Sequence, residues 1–153
     1  QEQLDRVMGY IDAGKKEGAT VASGGERADG ELSDGYFVKP TVFTGVSSEM
    51  KIYQEEIFGP VLTVVAVDDV EDAVRKGNET QYGLAAAVWT KDLKKAHRVA
   101  QGLKAGTVWV NTYGIYDPAV SFGGFKQSGF GRELGPHAAE AYTQTKSIWI
   151  NLG

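Results

Sequence analysis

"VLTVVAVDDVEDAVRKGNETQYGLAAAVWTKDLKKAHRVAQGLKAGTVWV", residues 61–110, carries the alternation on which the fold class turns. Val61 to Val67 form a nearly continuous apolar run, the composition of a strand buried on both faces. Asp68 or Asp69 then predicts a helix cap, with Val70, Ala73 and Val74 facing inward and Glu71, three residues after Asp68, as capping-box partner. Leu84 to Thr90 predicts the next strand. A second helix follows, capped by Asp92 with Leu93, Ala96, Val99 and Ala100 inward, and then a strand over Thr107 to Val110. Strand, helix, strand, helix, strand at this spacing predicts parallel pairing through right-handed crossovers. The expected class is α/β: a mostly parallel sheet with helices on both faces.

Upstream, Leu4, Val7, Met8 and Ile11 keep the i, i+3, i+4, i+7 spacing of a helix stripe, and Gly14 and Gly18 mark its expected end. A short strand and loop follow. Pro40, inside the extended stretch Tyr36 to Phe43, predicts an edge or broken strand. Downstream of Asn111 the regularity stops for about twenty residues, long for a connection in a compact domain. The segment mixes aromatics with glycines, unlike a disordered linker, and is expected to be an ordered functional loop. A short helix is expected near Pro136 to Tyr142. In the last stretch Ile148, Ile150 and Leu152 alternate with polar or amphipathic residues, predicting a half-buried strand with no partner beside it in sequence.

Composition narrows the function classes. Sixteen Lys and Arg against twenty Asp and Glu give a net charge of −4 without long blocks, which speaks against nucleic acid or an anionic membrane as partner. No apolar run approaches the ~18 residues of a membrane span, and no secretory leader opens the chain, so a cytoplasmic protein is expected. Zero cysteines exclude a disulfide framework, thiolate ligands and a thiol nucleophile within these residues. The chain starts Gln1-Glu2-Gln3-Leu4 directly in a helix, and is expected to be a piece of a longer protein.

The common catalytic patterns are missing. The nearest approach to G-x-S-x-G, Ala119 to Gly123, lacks the first glycine and the strand-to-helix setting. His97 and His137 stand on predicted helix surfaces without companions at ligand spacing, so no metal site is expected. Gly129 to Gly135 has the wrong last spacing for a dinucleotide fingerprint and reads as tight-turn glycines. The stretch Gln54-Glu55-Glu56-Ile57-Phe58-Gly59-Pro60 is different. Pro60 pushes the chain into an extended path, which leaves Glu56 and Phe58 at a strand entrance. A carboxylate there can accept from both hydroxyls of a ribose, and an adjacent aromatic can pack on a flat ring. On the residues alone, an acidic solvated turn with a core phenylalanine is the simpler reading.

Residues 54–61 are similar to the nicotinamide-ribose segment of the aldehyde dehydrogenase superfamily. The resemblance continues through Tyr82 to Val88, Gly106 to Asn111, Phe122 to Gly129 and Gly131-Arg132-Glu133, in the family's order. It implies the C-terminal portion of a catalytic domain, part of a three-layer αβα architecture, over residues 1–143, with an oligomerisation strand, a C-terminal β-arm, over 144–153. It also implies NAD or NADP as cofactor, an aldehyde as substrate and a homo-oligomer. Glu56 would bind the nicotinamide ribose, Phe58 would pack near the nicotinamide, and Tyr116 and Phe122 would line the aldehyde tunnel. The family's nucleophilic cysteine, general-base glutamate, oxyanion asparagine and dinucleotide-binding domain lie upstream of the matched region. None is present here, so no catalytic residue is expected in the chain and the chain alone is expected to be inactive. The other expectation is a non-catalytic oligomerisation module. Tyr116 and Phe122 suit an aromatic or long aliphatic aldehyde and equally a quaternary ammonium.

Overall fold

The computed structural model describes residues 1–153 and divides into two compact units, Gln1–Thr80 and Gln81–Gly153. In the first, helix α1 (Glu2–Lys16) carries Glu2 and Asp5 in its first turn and Lys15 and Lys16 in its last, both signs matched to the helix dipole. Its stripe of Leu4, Val7 and Ile11 is buried as the spacing predicts, while Met8 is only partly so. Gly14 does not end the helix. It lies inside α1 and is buried, because a Cβ there would meet Ile52 Cδ1 at 2.8 Å and Phe43 Cζ at 3.2 Å. The break falls at Gly18, whose φ of 96° is left-handed.

Strand β1 (Thr20–Ser23) pairs antiparallel with β2 (Thr41–Thr44), and β2 pairs parallel with β3 (Val61–Thr63), which follows the short helix α2 (Lys51–Gln54). Of the two alternatives predicted from Pro40, the broken strand holds, since Val38 makes only an isolated bridge with Arg27 and β2 starts at Thr41, while the edge position is corrected: β2 is the central strand, and Pro40 stands just before its first residue, where no ladder bond is lost. Phe43 and Ile11 are completely buried, packed with Val7, Ala19, Val46, Ile52 and Ile57. Thr41 is the buried polar member. Its hydroxyl donates to the Lys39 carbonyl and accepts from the Gly25 amide, both at 2.8 Å, so nothing polar is left unsatisfied.

The strand predicted over Val61 to Val67 is shorter than expected and not buried on both faces. Leu62, Val64 and Val67 are 59%, 45% and 50% exposed. Helix α3 (Val70–Gly77) begins at Asp69, whose carboxylate accepts from the Asp72 amide at 2.8 Å. The reciprocal acceptor is Asp72, not Glu71: its Oδ2 takes the Asp68 amide at 3.1 Å, because Asp72 is the third helical residue after the cap.

In Gln81–Gly153 the predicted strand from Leu84 to Thr90 forms over four residues only, as β5 (Ala85–Val88), and a separate two-residue strand, β4 (Tyr82–Gly83), lies just ahead of it. β4 pairs antiparallel with β7 (Phe125–Lys126), and β5 pairs parallel with β6 (Thr107–Val110). Helix α4 (Leu93–Gly102) joins β5 to β6, the crossover unit expected from the sequence. Its Asp92 cap accepts from the Lys95 amide at 3.1 Å, and Ala96 and Val99 are buried, but Leu93 is 72% exposed. The mostly parallel sheet is corrected too: three small sheets of three, two and two strands hold two parallel and two antiparallel pairings.

Pro136–Tyr142 is helical as expected, in the 3₁₀ form. Residues 144–153 make no strand here. A strand needs a ladder partner, the chain supplies none, and Ile148, Trp149, Ile150 and Leu152 are all at least 71% exposed. No helix is long and apolar enough to cross a membrane.

Candidate functional site

The stretch after α2 alternates. Glu55 is extended, at φ −111° and ψ 153°, Ile57 is buried in the core, and Glu56 and Phe58 on either side of it face solvent. Phe58 is 74% exposed and sits at φ 55°, a left-handed conformation that a bulky residue adopts only at a cost. Gln3 Nε2 donates to its carbonyl at 2.8 Å, which helps to hold that turn. Gly59 lets the backbone pass α1, because a Cβ there would meet Val7 Cγ2 at 2.6 Å. The Val61 amide then donates back to the Gly59 carbonyl at 2.8 Å, and the Thr41 amide to the Pro60 carbonyl at 2.8 Å, where β3 joins the sheet.

The two adjacent carboxylates have different fates. Glu55 Oε2 accepts from the Tyr10 hydroxyl at 2.8 Å and lies 3.8 Å from Lys51 Nζ, which itself sits 5.0 Å from the centre of the Tyr10 ring. The Glu55 carboxylate raises the Tyr10 pKa, because ionising the phenol would remove the donor and add a second anion. Glu56 is exposed, and its carboxylate makes no hydrogen bond or ion pair in the chain; only its backbone carbonyl is used, by Arg6 Nη2 at 3.5 Å. An acceptor-only group with both oxygens free fits a vicinal diol. Phe58 also borders a groove of about 400 Å³ with Leu4, Val7, Tyr36 and Phe37.

In Gln81–Gly153 the loop after β6 is ordered by aromatic contacts. Trp109, 8% exposed, donates its indole N–H to the Ile115 carbonyl at 2.9 Å. The Tyr113 and Tyr116 rings stand edge-on to it at centroid distances of 5.1 and 5.4 Å, and Tyr116 meets Phe122 in the same way at 5.2 Å. Asn111, at φ 54°, closes the β5–β6 end: its Oδ1 accepts from the Thr90 amide at 2.8 Å and its Nδ2 donates to the Thr90 carbonyl at 2.9 Å. Phe122 and Glu133 exchange two backbone hydrogen bonds of 2.7 Å. Arg132 locks the turn between them, with Nη1 donating to the Gly131 and Gly124 carbonyls at 2.6 and 3.0 Å and its guanidinium 5.4 Å from the Phe125 ring centre.

Of the expected site residues the structure brings Tyr116 and Phe122 into ring contact and leaves Glu56 and Phe58 exposed on either side of the buried Ile57. Trp109, Tyr113 and Arg132 are the supporting residues that were not singled out from the sequence. A tryptophan near the end of a strand, just before an aromatic-rich loop, was the available signal for the first two; Arg132 lay in the matched motif Gly131-Arg132-Glu133, but its role did not follow from it. Gly129, Gly131 and Gly135 all have positive φ, as tight turns require. His97 is exposed on α4, and His137 Nδ1 lies 3.1 Å from Glu140 Oε1.

The sequence model of the aldehyde dehydrogenase family matches residues 1–148. The chain belongs to the aldehyde dehydrogenase family. It is 60% identical over 153 residues to an aldehyde dehydrogenase of Aspergillus niger and 58% identical to one of Emericella nidulans, covering 100% of this chain and 30% of each relative. An NAD+ complex of the Bacillus cereus aldehyde dehydrogenase superposes with a TM-score of 0.91 at 55% identity, covering 100% of this chain and 30% of that one. The chain thus spans about 30% of the length of the relatives it matches. Its mixed α/β fold agrees with theirs.

Proposed function

We propose that the chain is the C-terminal portion of the catalytic domain of a cytoplasmic NAD(P)-dependent aldehyde dehydrogenase that oxidises an aldehyde to a carboxylic acid. The observation that carries this reading is the free, exposed Glu56 carboxylate beside the exposed, left-handed Phe58, in a chain of this family. Glu56 accepts from the two hydroxyls of the nicotinamide ribose, two charge-assisted bonds to one carboxylate. Phe58 offers a ring face to the nicotinamide, which when bound supplies the two-electron acceptor. Tyr116 and Phe122 orient the aldehyde and exclude water from it. Residues 144–153 add a strand to a neighbouring subunit, which accounts for an apolar segment with no partner in the chain.

The nucleophile and the base that activates water belong to the rest of the enzyme, since the chain has no cysteine. The purified 153-residue chain is therefore expected to show no NAD- or NADP-linked reduction with any member of an aldehyde panel. Turnover above the blank in that assay overturns the assignment of the nucleophile to missing residues. In the full-length enzyme Glu56→Gln is expected to raise the cofactor KM about tenfold, the loss of one charge-assisted bond pattern, with little change in aldehyde KM. An unchanged cofactor KM removes Glu56 from the ribose site.

A further inference from the structure

We infer that Tyr10 is a positioning residue for the cofactor: by holding the Glu55 carboxylate against α1, it leaves Glu56 as the one carboxylate of the adjacent pair presented to the nicotinamide ribose. This rests on the ribose-binding role proposed above for Glu56. Two neighbouring glutamates on a short extended segment are chemically equivalent acceptors, so only their partners in the fold tell them apart. Glu55 Oε2 accepts from the Tyr10 hydroxyl at 2.8 Å and lies 3.8 Å from Lys51 Nζ, whereas the Glu56 carboxylate, one residue on, has no partner in the chain.

The helix supplies the rest of the grip. Gln3, Arg6 and Tyr10 stand at i, i+3 and i+7, one face of α1, beside the buried stripe of Leu4, Val7 and Ile11. Each donates to the segment that runs past it: Gln3 to the Phe58 carbonyl at 2.8 Å, Arg6 to the Glu56 carbonyl at 3.5 Å, and Tyr10 to the Glu55 side chain at 2.8 Å. The first two take backbone oxygens, which every residue carries, so they do not distinguish one side chain from the next. Tyr10 alone of the three engages a carboxylate. Ile57 packs in the core with Val7 and Ile11, and Glu55 lies two residues before it, the spacing that turns side chains of an extended segment to the same side. A slip of one residue would exchange the two glutamates and bring Ile57 into water. Lys51 is a weaker fixture, since an exposed ion pair at 3.8 Å contributes little by itself. It instead braces the ring, 5.0 Å from the Tyr10 centroid, while its own backbone amide donates to Glu17 Oε2 at 2.9 Å at the far end of α1.

The test uses the full-length enzyme, with NADH binding followed by its fluorescence beside steady-state kinetics. Tyr10→Phe keeps the ring and its contact with Lys51 and removes only the hydroxyl. Its Kd for NADH and its cofactor KM are expected to rise about threefold, with little change in kcat or aldehyde KM. Glu55→Ala is expected to have the same effect, and the double variant no larger one, because the two side chains act through one bond. A Tyr10→Phe enzyme that melts earlier yet binds NADH unchanged has lost only a structural contact, and overturns the inference, as do effects of the two substitutions that add. Glu56→Gln separates this from the reading beneath it. Weaker NADH binding in Glu56→Gln beside unchanged binding in Tyr10→Phe overturns the positioning role alone, whereas unchanged binding in Glu56→Gln rejects the ribose site and the positioning role with it.

Discussion

Gly106 shows how much one hydrogen can decide. Its backbone is not left-handed, so conformation alone would accept alanine, yet a Cβ there would fall within the van der Waals envelope of the Gly123 carbonyl oxygen. Gly106→Ala is expected to destabilise the chain by about 3 kcal/mol, the upper end for overpacking, read as a fall in the urea midpoint. A change under about 0.5 kcal/mol, the size of an ordinary surface substitution, would mean that the two backbones do not approach so closely. At the same scale, the sequence made Glu56 and Phe58 readable because Pro60 fixes the path that exposes them. It singled out Glu56 but did not show what occupies Glu55. The occupants are Tyr10 and Lys51, which reach Glu55 only once α1 and α2 have packed.

Elements were legible where the signal is local. The Asp69 and Asp92 caps and the β5–α4–β6 crossover follow from patterns within a few residues of each other. Strand partners were not: β2 became central, and β4 formed ahead of β5 to pair with β7, because pairing is decided by segments far away in sequence. Helix α3 has an additional device. Asp72 is bonded to Lys76 Nζ at 2.9 Å, to the Asp68 amide and to Arg75, and these partners, Lys76 foremost, lower its pKa from 3.8 to about 2. A depressed carboxylate stabilises the fold above its unfolded pKa and loses that contribution as pH falls through the folded one. Helical circular dichroism is therefore expected to fall between about pH 4 and pH 2, with Asp72→Asn less stable at pH 7 and showing a smaller fall. Equal acid sensitivity in the two proteins would place the titrating group elsewhere. Tyr53 stays protonated throughout, since burial and the bond to Glu79 push its pKa to about 12.

For the whole molecule the exposed apolar segment at residues 144–153 has the clearest consequence. If it pairs with another copy, sedimentation of the 153-residue chain shows concentration-dependent association that deletion of residues 144–153 abolishes. A monomer at all concentrations before deletion would leave the segment without that role. The sequence anticipated the missing partner from the alternation of Ile148, Ile150 and Leu152, but not the exposure of both faces, because alternation specifies a strand only when a sheet is there to receive it. The distribution of tryptophan has an optical consequence. Trp89, Trp109 and Trp149 all lie in Gln81–Gly153, and Gln1–Thr80, with its own core around Phe43 and Ile11, has none. Indole emission therefore reports melting of only one half of the chain, while far-ultraviolet dichroism sees α1 and α3 as well. The two curves are expected to have different midpoints, and a single shared midpoint would mean that both halves unfold as one.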